Sequence, residues 1–136
     1  EISAELLAVT DWLIPNEFEF LARAAGLADG AVAALAQRLG VSVVATLGEA
    51  GAAIVDSSGS VARITPPPTT VVDTTGAGDA FVGAVSYGLA AGLSPTAAAR
   101  LGCACATSSV ARAGTQSSFP RAAQLDEALA WATATA

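Results

Sequence analysis

The stretch from Val71 to Gly83, VVDTTGAGDAFVG, passes from a β-branched run through a two-glycine turn into an apolar helical segment with no spacer between them. A helix that starts this abruptly leaves its first four N–H groups without intrahelical partners, so the amides of Gly76 through Asp79 should converge at its N-terminus. With the positive end of the helix dipole, worth roughly 0.3 to 2 kcal/mol, they would make an anion hole suited to a phosphate. Gly76 and Gly78 would permit positive φ angles there and let a phosphate approach the backbone closely.

Around this turn, helical and strand patterns alternate, which argues for an α/β layer structure. Ser3 to Val9 reads as the end of a helix, and Trp12-Leu13-Ile14 as a short strand stopped by Pro15. Glu17 to Ala24 and Asp29 to Leu39 read as helices, the second capped by Asp29 and closed by Gly40. Val41 to Thr46 is a buried-type strand, and Gly51 to Asp56 with Ser60 to Thr65 form a hairpin around Ser57, Ser58 and Gly59. Pro66-Pro67-Pro68 must be an extended connector, since it permits neither helix nor ladder pairing. Thr69 to Val72 has strand propensity. The helix after the glycine turn runs to about Ala91, carries Phe81, Val82, Val85 and Leu89 with Gly83 and Gly88 among them, and, apolar on nearly all sides, reads as a buried core helix whose glycines allow close approach. Ser94-Pro95 opens the next helix, to about Ala111, and the last spans roughly Ala122 to Thr133.

Length and charge narrow the function. The 136 residues suit one modest domain; they begin at Glu1 and include no Met, which reads as a piece of a longer polypeptide. A net charge of -6 with six basic residues argues against nucleic acid or an anionic membrane surface as partner, because both need clustered Lys and Arg. Cys103 and Cys105, one residue apart in an Ala-rich segment, cannot pair within a helix and read as buried thiols of a reducing compartment. No segment resembles a signal peptide, and the run Ala80 to Leu93 is too short to span a bilayer, so a cytoplasmic location is expected.

The turn is not a Walker loop, since no Gly-Lys-Ser/Thr follows, nor a dinucleotide fingerprint, since Phe81 stands where the third Gly would be. An acidic side chain beside an anion site is repelled by phosphate unless it has chemistry to do. General-base removal of a hydroxyl proton during attack on the γ-phosphorus supplies that chemistry, about 10² to 10⁴ in rate. Read without a relative, Asp79 could equally cap its helix and the glycines could merely turn the chain.

The run Asp73-Thr74-Thr75-Gly76-Ala77-Gly78-Asp79-Ala80-Phe81 resembles, residue for residue, the C-terminal signature of the ribokinase-like, or PfkB, carbohydrate kinases. Three further segments agree in order and spacing. Asn16-Glu17-Phe18-Glu19 resembles the family's N-x-x-E element, implying that Asn16 faces the magnesium-phosphate end of ATP and that Glu19 holds magnesium through water. Thr46-Leu47-Gly48-Glu49-Ala50-Gly51 is similar to its nucleotide loop, with Thr46 and Gly48 on phosphates and the loop through Gly51 bordering the nucleoside. The run Ser109 to Pro120 is similar to the monovalent-cation loop of ribokinases. That similarity implies potassium held by the carbonyls of Thr75, Ser109, Arg112 and Gly114, with Asp73 and the Ser118 hydroxyl. Cys103 departs from the pattern: it stands where the family often places Asn or His near the adenine, and a thiol is a poor hydrogen-bond partner.

The resemblance implies the C-terminal part of a three-layer α/β/α sandwich with a central, mostly parallel sheet. It also implies transfer of phosphate from magnesium ATP to a primary hydroxyl of a sugar. Asp79 would act as base, and Gly76, Ala77 and Gly78 would supply amides. The sugar-gripping N-terminal half would be the natural partner, in an enzyme able to form a homodimer, and without that half an apolar sheet edge would be exposed. Gln116-Ser117-Ser118-Phe119-Pro120 leans towards ribose, with fructose, 2-keto-3-deoxygluconate and nucleosides still open. A nucleotide-binding module that no longer catalyses, and a purely structural α/β domain whose loops are only turns, are the alternatives.

Overall fold

The computed structural model describes residues 2–21, 29–55 and 59–134. They fall into two compact units, Glu1–Arg63 and Ile64–Ala136.

The first unit is built on a sheet of order β1-β2-β3-β4, formed by Trp12–Leu13, Ser42–Thr46, Ala52–Val55 and Val61–Ile64. β1 runs parallel to β2, with Trp12 opposite Ser42 and Leu13 opposite Val43. β2 and β3 are antiparallel, Val43 facing Val55 and Thr46 facing Ala52. The described sheet is therefore mixed: the parallel pair spans the helical crossover, and the short return from β2 to β3 forces the antiparallel one. Ahead of it, α1 (Ala4–Leu7) is capped by the Ser3 hydroxyl, which accepts the Leu6 amide at 3.2 Å. Helix α2 (Glu17–Leu21) follows β1, and α3 (Asp29–Leu39) forms the crossover. Val32, Leu35 and Ala36 recur at helical spacing on α3 and bury against Val43 and Ala45 of β2 and Ala53 and Val55 of β3. Gly40, with φ +68°, ends α3 as expected. The far end of the expected Glu17 to Ala24 helix, the side chain of Asp29 and the turn at Ser57 and Ser58 lie outside the described residues.

The second unit is helical. Helices α4 (Ala77–Ala90), α5 (Pro95–Val110) and α6 (Ala122–Thr133) keep the bounds their sequences suggest. Small residues let them approach closely. A β-carbon added to Gly102 on α5 would lie 2.7 Å from Val85 Cγ2 and 2.9 Å from the Phe81 ring on α4. On the other side of α5, Leu101, Ala104 and Cys105 bury with Ala128 and Ala132 of α6. Arg100 links α5 to α6 by donating to the Trp131 carbonyl at 2.8 Å while its guanidinium stacks 4.4 Å from that indole. The Ser94 hydroxyl caps α5 by accepting the Ala97 amide at 3.2 Å.

Two expectations fail in this unit. Thr69 to Val72 is not a strand; Val71 and Val72 are each 60% exposed, and the Val72 and Asp73 amides donate together to the Val110 carbonyl instead of to a ladder. β-propensity needs a partner strand to be realised, and none pairs here among the described residues. Helix α4 is also not buried on every side. Phe81, Ala84, Val85 and Gly88 form its buried stripe, whereas Val82 (40%) and Tyr87 (51%) are exposed, because only the stripe at helical spacing can face α5.

Candidate active site

The glycine turn lies wholly in the second unit. Gly76 is the N-cap of α4 in the left-handed conformation, φ +81°, which frees its position from any β-carbon. A β-carbon there would also sit 2.7 Å from Thr115 Cγ2 and 3.1 Å from the Phe119 ring. Both the conformation and the neighbours therefore demand glycine. Gly78 differs from the expectation, being helical with no positive φ and with nothing within 4 Å of an added β-carbon. Its missing side chain leaves the helix N-terminus open.

Three of the four expected amides are available. The Ala77 amide donates to the Thr74 carbonyl at 3.2 Å, because the turn closes on itself before the helix begins. Those of Gly76, Gly78 and Asp79 meet no acceptor among the described residues. Asp79 sits in the first turn of α4, exposed, and its carboxylate makes no hydrogen bond among them. The carboxyl group thus points out beside three free donors.

Asp73 braces this turn. Its Oδ1 accepts the Thr75 amide at 2.9 Å and its Oδ2 the Gly114 amide at 3.0 Å. The Gly114 amide first, then the Thr75 hydroxyl and amide, hold its carboxyl down at about 2. The structure thus brings together Asp73, Thr75, Gly76 and the loop after α5. The buried Ser109, in the last turn of α5, and the buried Ser118, in that loop, direct their hydroxyls to the carbonyls of Ala106 (2.8 Å) and Thr115 (2.6 Å). The Ser109 carbonyl accepts the Arg112 amide, while those of Thr75, Arg112 and Gly114 accept nothing among the described residues. Thr75 and Gly114, whose amides Asp73 holds, each leave a carbonyl free, and oxygen donors of this kind suit a hard cation. Thr115 and Phe119, the walls behind Gly76, entered the sequence reading only as members of the Ser109 to Pro120 run; their place beside a glycine 39 or more residues earlier is what marks them.

In the first unit, the exits of β1 and β2 meet in an isolated parallel bridge between Asn16 and Thr46, and the Thr46 amide donates to the Pro15 carbonyl at 2.9 Å. Asn16 and Glu19 form a reciprocal cap: Asn16 Oδ1 accepts the Glu19 amide at 2.9 Å, and Glu19 Oε2 accepts the Asn16 amide at 3.0 Å. One Glu19 oxygen remains for other work. After β2, Gly48–Ala50 makes a 3-10 turn, tied by the Leu47 amide to the Gly51 carbonyl at 2.8 Å. Gly48 (φ +57°), Glu49 and Ala50 are exposed, but Leu47 is buried in the core and Gly51 is buried as well. Cys103 is only 3% exposed, and burial pushes its thiol up to about 12. The small side chain on a helix packed from both sides offers a nucleotide almost no surface.

Comparison with known proteins shows the family and the fold. Residues 3–122 match the pfkB family carbohydrate kinase model. The chain is 33% identical to ribokinase of Schizosaccharomyces pombe over 135 residues, 92% of this chain and 42% of the relative. It is 30% identical to ribokinase of Lactococcus lactis over 121 residues, 89% and 39%. Among solved structures it superposes on Arabidopsis thaliana ribokinase complexed with ribose and ATP with a TM-score of 0.84, 31% identity and coverage of 94% and 43%. It matches Escherichia coli phosphofructokinase-2 in complex with potassium at 0.79, 27%, 96% and 44%. A putative Escherichia coli ribokinase II in complex with ATP and magnesium matches at 0.78, 26%, 93% and 41%. The fold is therefore of the ribokinase-like α/β class. The chain belongs to the pfkB family of carbohydrate kinases, and it spans about two fifths of the length of the curated relatives it matches.

Proposed function

We propose that this chain supplies the ATP-binding and phosphoryl-transfer part of a sugar kinase, with a primary hydroxyl of ribose as acceptor. The observation that carries the proposal is the N-terminus of α4: amides of Gly76, Gly78 and Asp79 without acceptors, open space at Gly78, and an exposed, unpartnered Asp79 carboxylate. In this role Asp79 takes the proton of the attacking hydroxyl, and the three amides stabilise the charge that spreads over the transferring group. Such a site works by positioning and by fixed dipoles.

Asn16 and the free oxygen of Glu19 fit a water-mediated magnesium site, whose charge would neutralise the nucleotide phosphates. The carbonyls of Thr75, Ser109, Arg112 and Gly114, with Asp73 and the Ser118 hydroxyl, fit potassium, which would steady the turn that presents the amides. Thr46, Gly48, Glu49 and Ala50 would border the nucleotide. The named ligands of the Arabidopsis ribokinase and of the two Escherichia coli structures support ATP, magnesium and potassium; ribose rests on the ribokinase relatives.

Ribose-dependent ADP release in the full-length kinase bearing these residues tests the assignment. Asp79→Ala should lower turnover by about 10² to 10⁴ and leave ATP affinity within a few-fold. Unchanged ADP release in that variant would remove Asp79 from the mechanism. No ADP release from the parent enzyme would leave a nucleotide-binding module.

A further inference from the structure

We propose that the Arg112 side chain is a positioning residue for the phosphate-binding turn, acting through the loop between α5 and α6. This inference rests on the phosphate-binding reading of the α4 N-terminus. Arg112 follows the last turn of α5, and its guanidinium reaches over the loop: Nη2 donates to the Ser118 carbonyl at 2.5 Å and to the Ser108 hydroxyl at 3.3 Å. One nitrogen thereby joins the end of α5 to the far side of the loop. A charge-assisted bond to the carbonyl of the buried Ser118 is among the stronger ties available to a loop with so little core of its own.

What this tie holds in place is the wall of the turn. Between its two ends lie Gly114, whose amide holds Asp73 at 3.0 Å, and Thr115, whose methyl group stands 2.7 Å from the place a Gly76 β-carbon would take. Phe119, next to Ser118, puts its ring 3.1 Å from the same point. If the loop relaxes, Gly76 loses its wall and Asp73 its second anchor, and the left-handed residue that aims the free amides is no longer confined. The Arg112 side chain touches no ligand in this scheme; only its main-chain carbonyl is assigned to potassium, and a side-chain substitution keeps that carbonyl. Its effect reaches the amides through Gly114, Thr115 and Phe119.

The role makes a phosphate-specific prediction. Binding of ATP with magnesium and of adenosine, which has no phosphates, is compared by calorimetry in the full-length kinase and its Arg112→Ala and Arg112→Lys variants, each checked for its thermal midpoint. Arg112→Ala should lose about tenfold in the preference for ATP over adenosine, Arg112→Lys should lose less, and millimolar guanidinium chloride should restore part of the loss in Arg112→Ala alone. If the parent prefers ATP and both variants keep that preference, or if ATP and adenosine affinities fall together, the positioning role is overturned while the phosphate site stands. A parent protein with no preference for ATP would overturn the phosphate-binding reading and this inference with it. Should Arg112→Ala fail to fold, the ratio in Arg112→Lys decides.

Discussion

The carboxylate of Asp73 accepts the amide of Gly114 at 3.0 Å, joining two loops 41 residues apart in the chain. With its other oxygen on the Thr75 amide, Asp73 is the point where the glycine turn and the α5–α6 loop become one structure. The turn that presents the free amides is anchored at that junction.

The junction should respond to acid. The Asp73 carboxyl titrates at about 2 in the folded chain against 3.8 unfolded, so its contribution is fully present above about 4 and disappears as pH falls through about 2. In an NMR titration the Gly114 amide proton should move with a midpoint near 2, and in Asp73→Asn that titration should vanish. A Gly114 shift that is flat over this range, or that follows an ordinary carboxylate, would mean the bond is not formed in solution.

Gly76 and Gly78 should behave in opposite ways. Gly76→Ala forces a side chain into a left-handed residue and against Thr115, and should destabilise by about 1 to 3 kcal/mol. Gly78→Ala meets no neighbour and has ordinary helical geometry, so the thermal midpoint should hold or rise. Its methyl group would nonetheless occupy the opening above the free amides, and ATP affinity measured by calorimetry should drop. Equal ATP binding by Gly78→Ala and the parent would place the phosphates elsewhere.

The cap formed by Asn16 and Glu19 separates structure from metal binding. Asn16→Ala removes the acceptor for the Glu19 amide and should cost about 0.5 to 2 kcal/mol in denaturant unfolding. Glu19→Gln keeps an oxygen for the Asn16 amide and should leave stability within about 0.5 kcal/mol. If Glu19 also orders magnesium, Glu19→Gln should raise the magnesium concentration needed for half-maximal ADP release. Identical magnesium dependence would reduce Glu19 to its capping role.

Much of the fold was legible because it is governed by local rules. Ser94 followed by Pro95 is a favourable cap and first turn for a helix, three successive prolines forbid a ladder, and Gly40 ends α3 in the conformation only glycine adopts freely. The same holds for the abrupt start of α4, from which the free amides follow. Thr69 to Val72 misled because β-branching favours a strand only when a neighbour completes it. Helix α4 misled because a nearly uniform apolar sequence does not say which stripe will meet α5.

From sequence alone came the order of helices and strands, the turn that opens α4, and the candidacy of Asp79. The first two depend on backbone preferences acting over a few residues; Asp79 became a candidate through the resemblance of the run it stands in. Only the tertiary structure decided that Thr74 takes the Ala77 amide, that Gly114 holds Asp73, that Thr115 and Phe119 make Gly76 irreplaceable, and that Cys103 is enclosed. Most of these are relations between segments distant in the chain, and packing, which has no signature in any short stretch of residues, selects them.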